Sequence, residues 1–583
     1  MFLRLQSLNP TADRIRHALQ TLAIRWIDPV FARRHPRSFL TVAIRTFGPL
    51  VRVLQPNDQW NLGAFIEDWC RILDAPAIPP LPKPKRIFVF SCYRGQFTRD
   101  LVMALLLAWR GHHVTIGYLP KLQSPIKEPL DDAPGVAEYL GTVLGRVATL
   151  TGGRVVCVDL KNTPVIHGGF DETYLASQVR ADTVLKTRRE RLDPHDGEVQ
   201  QVSAYYRALG ERTFDLARSY LKSRRDRIDL VLLANGASFE SGYFCRAAKD
   251  LDLPVNTHEK FAFSNVVVVN HGDAFFHFSD LDLVWQRRRE LGLLEEPMRS
   301  FIVEKAWELL NQRRTSTGGA WGWQYQKGRL SQNTGRVLDR LGIQADGFVL
   351  VCPNVPFDSG YESWLTLFPS MRQWLTETIA HLLKHTTLPV VVRAHPAESR
   401  PGYGREPIRN VLSEAGLDDG RIVVVPGDSD INTYDLMGLC RFAAVFASTT
   451  GVEIAMHRKP VIAGANVYYA RCGITVPAPS RDAYFAALSD PMAGSVDTSE
   501  RADDAAMVYF LFHYLLQWRF PYDKPSQISA LPPRLLPSDP GIANFIETLD
   551  VLAMTRDEFA AALPALVDRE RFLVRWGVDA AKR

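Results

Sequence analysis

Three apolar runs of strand length stand out between residues 388 and 475: LPVVVRAHPAESR, RIVVVPGDSDINTYDL and FAAVFASTTGVEIAMHRKPVIAGANVYYARCGIT. Each closes abruptly in polar, hydroxylic or charged residues, and a segment of helical spacing follows. This rhythm predicts parallel strands buried on both faces and joined by helices. With FVLVC (Phe348 to Cys352) before them and PVIAG after, about five strands can be counted. Right-handed crossovers then lead to a Rossmann-like sheet. Ser370 with Gln373 predicts a capping box on a helix whose apolar face is Met371, Trp374, Leu375 and Leu382.

The same alternation occurs earlier. RIFVFSC (Arg86 to Cys92), HVTIGYL, RVVCVDL (Arg154 to Leu160) and LVLLANG (Leu230 to Gly236) read as strands, and LPVNTHEKF carries Glu259 at another strand end. LVMALLLAWRG and SFESGYFCRAAKDLD read as helices, as do the highly charged stretches 172–191 and 199–222, whose charges are solvated faces. The predicted fold class is therefore α/β, with two Rossmann-like domains facing a cleft.

Breaks in the pattern place the boundaries. APAIPPLPKPK is too proline-rich for a helix or a central strand and closes a helical N-terminal extension, residues 1–82. A first Rossmann-like domain spans 83–335 and a second spans 336–496. A helical region, 497–583, contains MVYFLFHYLLQWRF and VLAMTRDEFAAALPALV and no catalytic motif. The passage from Arg313 to Trp323 fits either a hinge over the cleft or a surface connection.

Composition narrows the classes. The chain has 583 residues, 46% apolar and 23% charged, enough for at least two cores. A net charge of +5 is slight for this size and does not suggest a nucleic-acid partner. Seven scattered cysteines without metal-ligand spacing point to a reducing cytoplasm. No apolar run reaches the roughly 18 residues that would span a bilayer. Arginines interleave with apolar residues over 14–54, which fits peripheral contact with the inner face of the cell membrane or an apolar stripe packed on the main body.

Ligands of parallel sheets bind beyond the carboxyl ends of the strands, where Arg393, His395, Asp428, Asp430, Ser448, Thr449 and Thr450 all fall. Ser448 to Gly451 open a helix, so hydroxyls and backbone N–H groups converge at a positive dipole end that suits phosphate. Gly451 would admit a ligand close to the backbone. Glu453, one turn in, would take a ribose diol; alternatively these residues are an ordinary cap. Arg393 and His395 from a second strand end would complete a phosphate clamp. Asp430, Asn432 and Tyr434 would read the base and ribose, or else cap a helix and pack beneath it. Tyr468 and Tyr469 leave the last strand toward the same crevice, where tyrosines suit sugars. Arg94, Gly95 and Arg99 after the first strand would receive an anionic group.

RAHPAE (Arg393 to Glu398), SDINTYDL (Ser429 to Leu436), the stretch from Ser448 to Thr475 and PNVPFDSGYESW (Pro353 to Trp364) together resemble the nucleotide-binding half of the capsule polysaccharide biosynthesis family. That family contains GT-B glycosyltransferases, Kdo transferases among them, with an HP motif. The resemblance covers the middle third to half of the chain and implies a GT-B-like fold. It implies that His395 and Ser448 to Thr450 contact the donor phosphate and Glu453 the ribose. It also makes the first domain the acceptor half, where the Asn235-Gly236 turn and a later glutamate match the family.

The implied activity moves a sugar from a nucleotide sugar (CMP-, UDP- or GDP-linked, CMP-Kdo being one donor) to a bacterial surface or capsular glycan or its lipid-linked precursor. Such a transferase needs a base or nucleophile, and Glu240 and Glu259 are the candidates, with His258 and His271 behind them. No metal or other cofactor is required, because the clamp is cationic and dipolar. A CDP-polyol phosphotransferase, a sugar-nucleotide epimerase and a non-catalytic assembly protein are the alternatives.

Overall fold

The computed structural model describes residues 70, 81, 83–92, 97–119, 144–169, 171–259, 266–317, 334–344, 347–355, 365–400, 402–490, 498–520, 540–568 and 570. The basic stretch 14–54, Arg94, Gly95 and Trp321 to Trp323 lie outside them, as does most of the proline-rich linker.

The first sheet contains β1 (Arg86–Cys92), β2 (His113–Leu119), β3 (Val155–Asp159), β4 (Leu230–Ala234), β5 (Val255–Glu259) and β6 (Val266–His271). The second contains β7 (Phe348–Cys352), β8 (Val390–Arg393), β9 (Ile422–Val425), β10 (Cys440–Val445) and β11 (Val461–Ala463). A last strand, β12 (Gln517–Arg519), returns to the first sheet and pairs antiparallel with β6. The orders are β12-β6-β5-β4-β1-β2-β3 and β11-β10-β7-β8-β9. Both parallel portions thus follow the doubly wound order, reversing between β1 and β4 and between β7 and β10. The two Rossmann-like sheets expected from the strand runs are present, with a C-terminal segment that crosses back.

Sequence explains why these runs are strands. FVLVC and LVLLA are buried at every position, as strands covered on both faces must be. The helix Phe97–Arg110 is buried from Asp100 through Trp109, because β1 and β2 cover one side and the helix Pro540–Ala553 the other. Gly111, at φ +114°, ends it. In the helix Met371–His385 only half of the expected capping box forms. Ser370 accepts the Gln373 N–H at 3.0 Å, while the Gln373 side chain turns to Glu377. The orphan N–H groups of Met371 and Arg372 donate instead to Glu190 of the first lobe, at 2.6 and 2.7 Å.

The helix Met298–Arg314 packs on the helix Thr498–Phe510, which in turn covers the helix Thr450–Met456 of the second sheet. One hydrophobic cluster runs through these helices from the first sheet to the second. Among the described residues no helix is long and apolar enough to cross a membrane.

Candidate functional site at the facing carboxyl edges

On the second sheet, His395 leaves β8 and Ser448 leaves β10, on either side of β7. They share one edge but not adjacent strands, so about 10 Å separates the two strand ends. That is too far for contact and wide enough for a ligand between them. His395 Nδ1 accepts the Ala397 N–H at 3.1 Å, which in the neutral ring leaves the proton on Nε2. Burial, then Arg393 and Arg400, holds this imidazole down at about 4, so it is a neutral hydrogen-bond donor rather than a standing cation.

At the other strand end, Ser448 Oγ bonds Thr450 Oγ1 at 2.8 Å and accepts the Thr450 N–H at 3.2 Å. Thr449 is the N-cap without a side-chain capping bond. Ser448, Thr449 and Thr450 are all half-buried. The Tyr469 hydroxyl donates to the Ser448 carbonyl at 2.6 Å, pinning the loop from below.

Several expected contacts differ. Arg393 is buried: its Nε donates to Thr433 Oγ1 at 3.1 Å and its Nη1 to the carbonyls of Ala394, Val425 and Pro426. Through Nε and Nη1 its fork ties β8 to the end of β9 and shapes the loop. Glu453 is 3% exposed, and its Oε1 lies 2.9 Å from Arg313 Nη1 and accepts from the Tyr434 and Tyr509 hydroxyls at 3.3 Å each. A carboxylate so held is a core tie, not a ribose ligand.

Asn432 caps the helix Thr433–Leu439 through the Tyr434 N–H, and Tyr434 packs beneath it. Asp430 is exposed and pairs with Arg340. Tyr468 and Tyr469 are buried; Tyr468 stacks on Phe512 at 4.1 Å. Gly451 answers to Tyr469: a Cβ there would sit 1.9 Å from the Tyr469 hydroxyl oxygen.

The first sheet presents its own edge. Asn235 (φ +64°) and Gly236 (φ +72°) make the turn after β4, where a side chain on Gly236 would strike Thr257 at 2.5 Å. Asn235 Nδ2 donates to Glu259 Oε2 at 3.0 Å, fixing that half-buried carboxylate at the end of β5. Glu240 opens the helix Phe239–Asp250 but is 4% exposed, and its Oε2 is buried without a hydrogen bond among the described residues. Glu259 is therefore the more accessible of the two candidates.

His258 is wholly buried behind it, 3.6 Å by Nε2 from Asp100 Oδ1. Asp100 also accepts from the Ser91 hydroxyl at the end of β1. Asp100 escapes a reading of sequence, because a carboxylate in the first turn of a helix looks like a dipole complement. His271 is excluded from the edge: it is buried between Asp280, at 2.6 Å, and the Val551 carbonyl, at 2.9 Å.

Contacts at two places turn the second sheet's carboxyl edge toward the first lobe. Phe275 N–H donates to the Asn235 carbonyl, and Phe278, three residues on, lies 5.4 Å from the ring of Tyr468 beyond β11. Arg471 pairs with Asp282 at 2.6 Å. At the other end Glu190 caps the helix after β7, and Arg405 pairs with Glu198 at 2.8 Å. Among the described residues no three His, Cys, Asp or Glu side chains gather as a metal site.

No family profile and no curated protein matches the chain. Among solved structures it is similar to a beta Kdo 2,4 transferase, KpsC of Thermosulfurimonas dismutans, with 13% identity over 56% of this chain and 88% of that one and a TM-score of 0.32. It is also similar to the E. coli trehalose-6-phosphate structure bound with UDP-2-fluoro glucose, with 11% identity over 73% and 96% of the two chains and a TM-score of 0.29. A third is the UDP-GlcNAc 2-epimerase from Neisseria meningitidis bound to UDP-GlcNAc, with 12% identity over 73% and 95% and a TM-score of 0.23. At these scores the neighbours assign neither an activity nor a ligand.

Proposed function

We propose that this protein is a glycosyltransferase of GT-B type, which moves a sugar from a nucleotide donor held at the second sheet to a glycan or glycolipid acceptor held at the first. One observation carries the reading. His395 and the Ser448–Thr450 hydroxyls flank the strand-order reversal of the second sheet, and the edge they occupy is turned toward the lobe that carries Glu259. The donor phosphates would lie across the end of β7, accepting from His395 Nε2–H on one side and from hydroxyls and N–H groups on the other. Phosphate charge grows as the sugar leaves, and preorganised donors aimed at it lower the barrier. A neutral imidazole fits that task, because an approaching phosphate raises its proton affinity. Within the resemblance, a CMP-linked donor such as CMP-Kdo is the donor proposed.

The test is thermal unfolding with CMP, CDP, UDP and GDP. A nucleotide at a hundredfold its Kd stabilises by about 2.7 kcal/mol, and a rise in Tm is expected for CMP. No rise with any of the four would overturn the reading. His395→Ala is expected to lower turnover at least roughly tenfold without unfolding the protein, the effect of removing one charge-stabilising donor. Wild-type turnover in that variant would remove His395 from the clamp.

A further inference from the structure

Beneath Glu259, three side chains hold buried polar atoms without a hydrogen bond among the described residues: Nε and Nη2 of Arg99, Oδ1 of Asp100, and both ring nitrogens of His258. Folded proteins leave few such atoms, and their concentration at one strand edge asks for a role. Asp100 and His258 are 1% and 0% exposed, and a proton placed on Asp100 Oδ1 faces His258 Nε2 across 3.6 Å. The other carboxylate oxygen accepts from Ser91, so Oδ1 is the oxygen left for that proton.

We propose that Asp100 and His258 share a single proton inside the first lobe and that this pair is coupled to the charge of Glu259, making Asp100 a positioning residue for acceptor activation. The proposal rests on the reading that the first lobe takes the acceptor. Two groups meet Asp100, Ser91 on β1 and His258 on β5, and two act on it through charge, Glu259 at the end of β5 and Arg99 beside it on its own helix. Arg110, at the far end of that helix, is paired with Asp550. Burial pushes the Asp100 carboxyl up to about 7 and the charge of Glu259 adds to the rise, while Arg99 and the Ser91 hydrogen bond oppose it. Burial, then Arg99, keeps His258 neutral.

In transfer, Glu259 would take the proton of the acceptor hydroxyl. The O–H bond breaks and the oxygen's electron pair forms the bond to the anomeric carbon. The bond from that carbon to the donor phosphate breaks, with its electrons passing to the phosphate oxygen. Glu259 is then neutral, so its repulsion of an Asp100 carboxylate disappears and Asp100 holds the proton facing His258 Nε2 less tightly. When Glu259 releases its proton to water, the repulsion returns and the pair resets.

Selective ¹⁵N-histidine labelling reads this pair without any substrate. The His258 signals, assigned by their loss in His258→Asn, are followed between about pH 5.5 and 8.5. An inflection near 7 is expected in the wild type, following Asp100. Glu259→Gln removes a raising charge and should move the midpoint down by about half a pH unit or more; Arg99→Met removes a lowering charge and should move it up. Asp100→Asn should abolish the inflection. If that variant does not fold, the Glu259→Gln arm decides. Flat His258 signals in the wild type, or a midpoint unmoved by Glu259→Gln, overturns the proposal. Absence of nucleotide binding would instead remove the transferase reading and leave the coupled pair standing.

Discussion

Replacing Arg313 by methionine is expected to destabilise the protein by about 3–5 kcal/mol, because it leaves the Glu453 carboxylate buried without its counter-charge. Arg313 Nη1 stands 2.9 Å from Glu453 Oε1, 3.1 Å from the Tyr509 hydroxyl and 3.5 Å from His513 Nε2. His513 can accept that contact: its Nδ1 is bonded to the Tyr509 carbonyl at 2.9 Å, and burial with Arg313 holds the ring down at about 3. Burial pushes Glu453 up, whereas Arg313 and the two tyrosines pull it down. The cluster joins four separate stretches of chain: the helices Met298–Arg314, Thr433–Leu439 and Thr450–Met456, and the helix Thr498–Phe510 with the turn Leu511–Leu515 that continues it. Arg313→Met combined with Glu453→Leu should recover most of the loss, since no unpaired charge is then buried. Chemical denaturation of the two variants checks both statements. A loss below about 1 kcal/mol in the single variant would mean that water reaches Glu453.

That cluster also marks where sequence stops being informative. The five strands of the second sheet are legible because each is a continuous apolar run closed by polar residues, and right-handed crossovers between them lead to a Rossmann-like sheet. β6 and β12 are less so. VVVVNH closes in polar residues and leads to the helix Ser279–Arg287 as a βα unit would, yet it pairs antiparallel with β5, and QWR is a three-residue strand ending an apolar helical stretch. Its pairing partner lies some 250 residues earlier, at Val266 to Val268.

At the site, strand-end position correctly brings Ser448, His395 and Glu259 to the edge but does not say which way a polar side chain turns. Arg393 turns inward to carbonyls, and Asn432 turns to its own helix. Glu453 meets an arginine from a distant helix that no local pattern announces. Asp100 is the converse, a dipole complement by position whose partner, His258, is supplied by a strand more than 150 residues away.

Gly451→Ala is the variant expected to disturb the edge that carries Ser448 and His395 most. A methyl group on Gly451 would sit 1.9 Å from the Tyr469 hydroxyl oxygen and 2.7 Å from Cζ. Tyr469 is fully buried and cannot swing into solvent without opening the core. Overpacking of this kind costs about 1–3 kcal/mol. The larger consequence concerns binding, because the displaced hydroxyl is the group that holds the Ser448 carbonyl at 2.6 Å. Once it moves, Ser448 and Thr450 lose their alignment, and nucleotide-induced stabilisation should disappear.

Tyr469→Phe separates the two causes. It removes one hydrogen bond, worth about 1 kcal/mol, without a clash, and should keep the thermal response to nucleotide in weakened form. Combining it with Gly451→Ala takes away the closest contact but leaves Cζ at 2.7 Å, so stability should return only in part. If Gly451→Ala alone binds nucleotide as the wild type does, the phosphate is held elsewhere than at the Ser448 loop.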